Sequence, residues 1–254
     1  MPIKVSQTPL AGATSAAAMF STRLQSCELV VLGLTIGSST SRVYGEVVRN
    51  HHAMFSDLTV FALAQYLGLV AGHRENYRSV VPREVAIPID LDSSRAHAPD
   101  GVAPDACGAA ILEHAGIDVQ LLGIGSNGPI GFNEPGSPLD PWTRKAALAE
   151  STRVANARVF NSLIKVPSHA VPEEIATTLD AKRPPIPAVG PAKAGAVAAA
   201  LKRPLTENLP ASVLREHSDV TWILDAEAPE QLPIVAEEVE RVGTTALRAA
   251  WEMS

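Results

Sequence analysis

Positive charge is scarce in this chain. There are 21 Lys and Arg against 27 Asp and Glu, a formal net charge of -6. Proteins that bind DNA or RNA present a basic stripe or face, and none occurs here, so nucleic acid is not an expected partner. An acidic chain can still hold an anion where its few cations converge in one cleft. Cysteine occurs only twice, as Cys27 and Cys107. They form no CxxC pair and no metal-ligand spacing, which leaves two reduced core thiols as the expectation. The seven histidines are scattered without HxxxH spacing, so no metal and no cofactor are expected. No apolar run is long enough to span a bilayer. The opening MPIKVSQTPLAGATSAAAMF lacks the charged-then-apolar order of a secretion signal. A cytoplasmic location and no membrane partner are the corresponding expectations.

What is present is an alternating pattern. LVVLGLTI (29–36) is a near-continuous apolar run of the kind a doubly covered parallel strand needs. GSSTSR follows, then VYGEVVRN at helical spacing, which together read as the opening of a βαβ unit. LTVFAL (58–63), DVQLLGIG (118–125) and DVTWILDA (219–226) read as further strands. CGAAILEHAG (107–116), with Gly116 as its stop, PAKAGAVAAALK (191–202) and the stretch 229–252 read as helical, and WTRKAALAESTRVANARVF (142–160) as one long helix or a helix plus turn. AHAPDGVAPDA (96–106) reads as a loop. RPPIPAVG (183–190) stands where a strand is due, and its prolines predict an edge or distorted strand. Strands alternating with helices predict an α/β fold, a Rossmann-like, mainly parallel sheet covered by helices on both faces, in a single domain spanning 1–254. Ligands of such sheets bind at the carboxyl ends of strands, where the glycine turns after Ile36 and Leu122 fall.

Three segments carry chemistry. Gly37-Ser38-Ser39-Thr40 places backbone N–H groups and hydroxyls at a helix start, which suits an anion. The same residues also cap a helix with no ligand at all. GIGSNGPIGFNEPGS (123–137) is a long glycine-rich loop after a buried strand that ends in one carboxylate, Glu134. A plain turn with a solvated Glu134 is the alternative. TRVANAR (152–158) offers Arg153 and Arg158. Arginine suits bidentate phosphate binding, and spacing does not say which of the two faces a ligand.

The glycine loop together with TRVANARVF resembles the glucosamine-6-phosphate deaminase family. The likeness is collinear over most of the chain. LGLTIGSST is similar to the family's phosphate loop LGLPTGGTP, FALAQYLGL to FNMDEYVGL, and HRENY (73–77) to an H-x-x-S-Y piece. VGPAKAGAV is similar to the segment that carries a phosphate-binding lysine. The resemblance implies a fold related to phosphosugar isomerases and lactonases and a small phosphosugar as partner. The phosphate would be held by Gly37, Ser38, Ser39, Arg158 and Lys193, and the sugar would lie against Thr35, Ala64, Gly123 and Gly125. A homo-oligomer is allowed, since members range from monomers to hexamers.

The departures from the family pattern shape the expected chemistry. Ala64 and Gln65 stand where the family has the Asp and Glu of MDEY. Asn127 and Pro129 replace the Asp and His of a DGH triplet, while the FNEP glutamate is kept as Glu134. Losing a general acid or base typically costs about 10²–10⁴-fold in rate. The expected activity is therefore that of a lyase dehydrating N-acetylglucosamine 6-phosphate, with the acetyl group seated near Ala64. Glu134 would take the C2 proton as the C3 hydroxyl leaves, and Gln65 and Asn127 would assist. His73 is a candidate stand-in for the missing histidine. The alternatives are a residual glucosamine-6-phosphate deaminase/isomerase and a non-catalytic sugar-phosphate sensor.

Overall fold

The computed structural model describes residues 3–25, 31–51, 58–99, 105–139, 144–172, 175–182, 186–188, 193–202, 204–216, 220–225 and 239–242. Strands β1 (Ile3–Ser6), β2 (Val31–Leu34), β3 (Thr59–Ala62), β5 (Ala96–His97), β6 (Val119–Gly123), β9 (Ile186–Ala188), β10 (Trp222–Asp225) and β11 (Val239–Val242) form one sheet. Their spatial order is β11-β1-β10-β9-β6-β2-β3-β5, and every pairing is parallel. A small antiparallel sheet, β4-β8-β7, is built from Gln65–Tyr66, His169–Val171 and Ala146–Ala147.

Successive strand side chains point to opposite faces, and the apolar runs fill both. Leu32, Leu34, Val60, Ala62, Val119, Leu121 and Ile223 pack on one face. There they meet Ala13, Ala16 and Phe20 of α1 (Pro9–Gln25) and Val43, Tyr44 and Val47 of α2 (Ser38–His51). On the other face Val31 and Phe61 meet Ile111 of α4 (Asp105–Glu113). Leu122, Trp222 and Leu224 meet Val197 and Ala200 of α7 (Ala194–Lys202), an alanine-rich segment of high helix propensity. Fully burying a large apolar side chain contributes about 1.5–3 kcal/mol, so the two-faced strands account for much of the core. The α/β, mainly parallel architecture covered on both faces is what the alternating pattern predicts.

Several local expectations are corrected. The prolines around 183–190 predicted an edge or distorted strand; the edge is excluded, because β9 lies inside the sheet between β10 and β6. It is only three residues long, so the N–H that Pro187 lacks interrupts little of the ladder. The segment expected as one long helix or a helix plus turn has, where it is described, a short strand before its helix. Ala146–Ala147 pairs with β8, and α5 covers only Glu150–Phe160. The loop expected at 96–106 contributes β5 at the sheet edge. In the C-terminal stretch expected to be helical, Val239–Val242 pairs with β1 as a strand. The end of α4 follows expectation: Gly116, at φ 88°, closes the helix by donating to the Ile111 carbonyl at 2.9 Å.

Candidate active site

A cavity of about 260 Å³ opens at the carboxyl ends of β2, β3 and β6. Its floor is set by Thr35, just after β2. The Thr35 hydroxyl donates to the Leu121 carbonyl at 3.2 Å and accepts from the Gly123 N–H at 2.8 Å. Tyr44 donates to the Thr35 carbonyl at 2.7 Å. This pins the start of the Gly37 turn to the end of β6. The hydroxyl of fully buried Thr40 donates to the Gly37 carbonyl at 3.0 Å, tightening the turn where α2 begins.

Of the expected phosphate-binding residues, Gly37, Ser39, Arg158 and Lys193 all line this cavity. The Lys193 ammonium donates to the Ser39 hydroxyl at 3.1 Å, joining groups 154 residues apart in sequence. Arg158 lies in the last turn of α5, where a cation also complements the helix dipole. It has no hydrogen-bond or ion-pair partner among the described residues. Arg153 serves another purpose: its guanidinium donates to the carbonyls of Leu163 and Val166, both at 3.4 Å, and so fastens the turn that follows α5. Ser38 is the first residue of α2. Thr35, Ala64, Gly123 and Gly125, expected around the sugar, all line the cavity.

Glu134 lines the cavity and is 7% exposed. Its Oε1 accepts from the Ala149 N–H at 3.2 Å, while the buried Oε2 has no hydrogen-bond partner among the described residues. Ala149 is the N-cap residue of α5, whose first turn has no side-chain cap, so the carboxylate sits at the positive end of that helix. The glycine loop is shaped to deliver it. A Cβ on Gly125 would lie 2.4 Å from the Pro129 ring, and one on Gly128, at φ 87°, would lie 2.3 Å from Leu209. Phe132 holds φ 65°, and the buried Asn133 amide donates to the Ile130 carbonyl at 3.1 Å and accepts from Arg144 at 3.0 Å. Burial holds the Arg144 guanidinium below its ordinary value.

Asn127 lines the cavity and donates to the Ser151 hydroxyl at 3.2 Å. Gln65, expected to assist catalysis, is not a lining residue. It is 3% exposed, its Nε2 donates to Asn76 Oδ1 at 3.0 Å, and its Oε1 accepts from the Tyr77 N–H at 3.2 Å. His73 is not a lining residue either; its ring stacks on Phe160 and accepts from the Glu75 N–H. Sequence reasoning passed over Ser151, Thr152, Ala155 and Asn156, which line the cavity with Arg158. Their spacing of one, four, five and seven residues marks one helical face and was readable once α5 was separated from the segment before it. Tyr77 also lines the cavity. Burial, reinforced by Tyr66, Tyr44, Glu75 and Glu84, pushes its hydroxyl well above the ordinary tyrosine value, so it stays a neutral donor. Among the described residues no group of three metal-ligating side chains is gathered, and no helix is long and apolar enough to cross a membrane. Cys27 lies outside the described residues.

No protein-family model matches the chain. Among solved structures, a monomeric glucosamine-6-phosphate deaminase matches with a TM-score of 0.85 at 34% identity, over 91% of this chain and 100% of that one. A 6-phosphogluconolactonase from Trypanosoma brucei matches with a TM-score of 0.71 at 19% identity, over 91% and 98%. The fold is therefore the one these deaminases and lactonases share. In sequence, the glucosamine-6-phosphate deaminase of Rhodococcus jostii (strain RHA1) is 42% identical over 212 residues, covering 80% of this chain and 82% of that protein. The deaminase of Shouchella clausii (strain KSM-K16) is 40% identical over 222 residues, covering 84% and 90%. The chain belongs to the glucosamine-6-phosphate deaminase family. These relatives overturn the expectation of a lyase acting on N-acetylglucosamine 6-phosphate. Chains this similar over four-fifths of the length are named deaminases, which favours the deaminase/isomerase alternative.

Proposed function

We propose that the protein is a glucosamine-6-phosphate deaminase/isomerase in which Glu134 is the working carboxylate. The observation that carries this reading is the pairing, in one cavity, of two cations with a buried carboxylate oxygen that lacks a partner among the described residues. Ser39, Lys193, Arg158 and the start of α2 suit a phosphoryl dianion, through charge-assisted hydrogen bonds and helix N–H groups. Arg158 follows Ala149 by nine residues on α5, about 13 Å of helix rise at roughly 1.5 Å per residue. The arginine side chain leans back toward the helix N-terminus. An extended hexose phosphate fits between it and the Glu134 carboxylate, which touches Ala149.

The chemistry follows from the free oxygen. Glu134 Oε2 takes the proton from C2 of the open-chain sugar as the C1 oxygen picks up a proton from solvent, leaving an enolamine, and the carboxyl then gives its proton to C1. The resulting C2 iminium adds water and releases ammonia, leaving the keto sugar phosphate. Ser151, Thr152 and Asn156 supply hydroxyl and amide groups for the sugar. Among the described residues that line the cavity, Glu134 is the only carboxylate, so turnover is expected to be slow. Ala64→Asp places a second carboxylate in the cavity, and ammonia release from glucosamine 6-phosphate should rise by about 10²–10⁴-fold, the usual contribution of one acid–base group. Absence of ammonia release from both wild type and Ala64→Asp, with tight sugar-phosphate binding intact, would leave a binding protein and reject the enzymatic reading.

A further inference from the structure

Gln65 and Asn76 are matched in a way the cavity itself does not require. Asn76 is the N-cap of α3 (Tyr77–Val81): its Oδ1 accepts from the Arg78 N–H at 3.0 Å, as a helix cap does. The same Oδ1 accepts from Gln65 Nε2 at 3.0 Å, and the other end of the Gln65 amide accepts from the Tyr77 N–H. One oxygen of Asn76 thus serves two donors, and only a residue with both a donor and an acceptor completes the arrangement at position 65. A carboxylate there would set oxygen against oxygen in a buried place, where an unpaired polar atom is costly.

What the pair holds is Tyr77. Its hydroxyl donates to the Ile36 carbonyl at 3.4 Å, one residue before the Gly37 turn. Its ring stacks against Phe132 at 6.1 Å, two residues before Glu134, and meets Tyr66 edge-on at 5.8 Å. Tyr77, Ile36 and Phe132 all line the cavity. One ring therefore touches both the segment that leads into the phosphate turn and the segment that delivers the carboxylate. We propose that Gln65 and Asn76 are a positioning pair: they lock Tyr77 as the common wall of the two loops and thereby set affinity for the phosphosugar. This rests on the functional reading above only for the identity of the ligand.

The test uses the full chain and three variants, Gln65→Met, Gln65→Glu and Gln65→Glu/Asn76→Ser. Gln65→Met keeps the volume without charge or hydrogen bonds, so it remains interpretable if Gln65→Glu fails to fold. A serine hydroxyl can donate to the new carboxylate and still accept the helix-cap bond from Arg78. Calorimetry with glucosamine 6-phosphate should show affinity at least about ten-fold weaker in both single variants and recovered to within about three-fold in the double variant. Hydrogen exchange of the ligand-free protein should quicken at the Ser41 amide, which bonds the Gly37 carbonyl, in the single variants alone. Wild-type affinity in Gln65→Met, no recovery in the double variant, or unchanged exchange at residues 37–41 would each overturn the proposal. If the wild type binds no sugar phosphate, the functional reading fails, and the exchange measurement still decides the role of the pair.

Discussion

Replacing Glu134 by glutamine separates the two tasks of this side chain. Gln keeps the shape and an oxygen for the Ala149 N–H, so the loop stays attached to α5. It removes the negative charge from an oxygen that is buried without a partner among the described residues. The glutamine NH2 that takes the place of Oε2 is still unpartnered, so what is relieved is the extra cost of a charge over a neutral buried group, which itself costs about 1–3 kcal/mol when unsatisfied. The opposing loss is the interaction of an anion with a helix N-terminus, about 0.3–1 kcal/mol at ordinary sites. The first effect outweighs the second, so Glu134→Gln should stabilise the free protein by about 1 kcal/mol. For a chain near this size that is a rise in Tm of about 2–4 °C. Ammonia release should fall by about 10²–10⁴-fold, or roughly 3–5 kcal/mol of transition-state stabilisation. Differential scanning fluorimetry and a coupled ammonia assay on the same preparations read both. A lower Tm, or full activity in Glu134→Gln, would refute the argument that the unpaired oxygen is held in readiness for substrate.

Three further outcomes follow from other parts of the molecule. Lys193→Ala and Arg158→Ala should each weaken glucosamine 6-phosphate binding by about 10–150-fold, the equivalent of one hydrogen bond to a charged group at about 1.5–3 kcal/mol. Arg153→Ala, whose guanidinium serves backbone carbonyls instead, should leave the Kd unchanged by calorimetry. Gly128→Ala forces a left-handed residue at roughly 1–2 kcal/mol and a clash with Leu209 at roughly 1–3 kcal/mol. Urea denaturation should accordingly show a loss of about 2–5 kcal/mol. Burial, then His114, holds the His97 imidazole below its ordinary value. The unfolded chain therefore binds more protons below about pH 6.5, so this contribution to stability is complete above that pH and is lost as acidification passes the folded-state value. Tm measured at about pH 7.5 and about pH 5.5 should fall less in His97→Phe than in wild type.

How much was legible in the sequence depended on whether a pattern was local. The continuous apolar runs in LVVLGLTI and DVQLLGIG are a local signal of strands covered on both faces, and both contributed central strands. The glycine loop was legible because its backbone needs residues without a Cβ at fixed places. Proline gave a local signal that the sheet overrode: β9 is held from both sides by its neighbours, and three residues need few donors. Ala146–Ala147 pairs only because β8 arrives from further along the chain, which no helical propensity near 146 can announce. Gln65 misled for a related reason. It follows Ala64, which faces the cavity, so strand alternation turns it the other way, toward partners on α3 that lie eleven and twelve residues on. Arg158 and Arg153 could not be told apart by spacing, and the packing of the turn after α5 decides between them.

The contact between Lys193 and Ser39 has a consequence for biosynthesis. The serine emerges from the ribosome early and waits for a lysine made 154 residues later, and β1 likewise waits for β10. Closing such distant loops makes folding slow. If this lysine holds the phosphoryl group as proposed, a nascent chain cannot use it until residue 193 has been made, so sugar-phosphate binding would report that this distant contact has closed. A cell rich in the ligand would draw newly completed chains into the folded state by mass action.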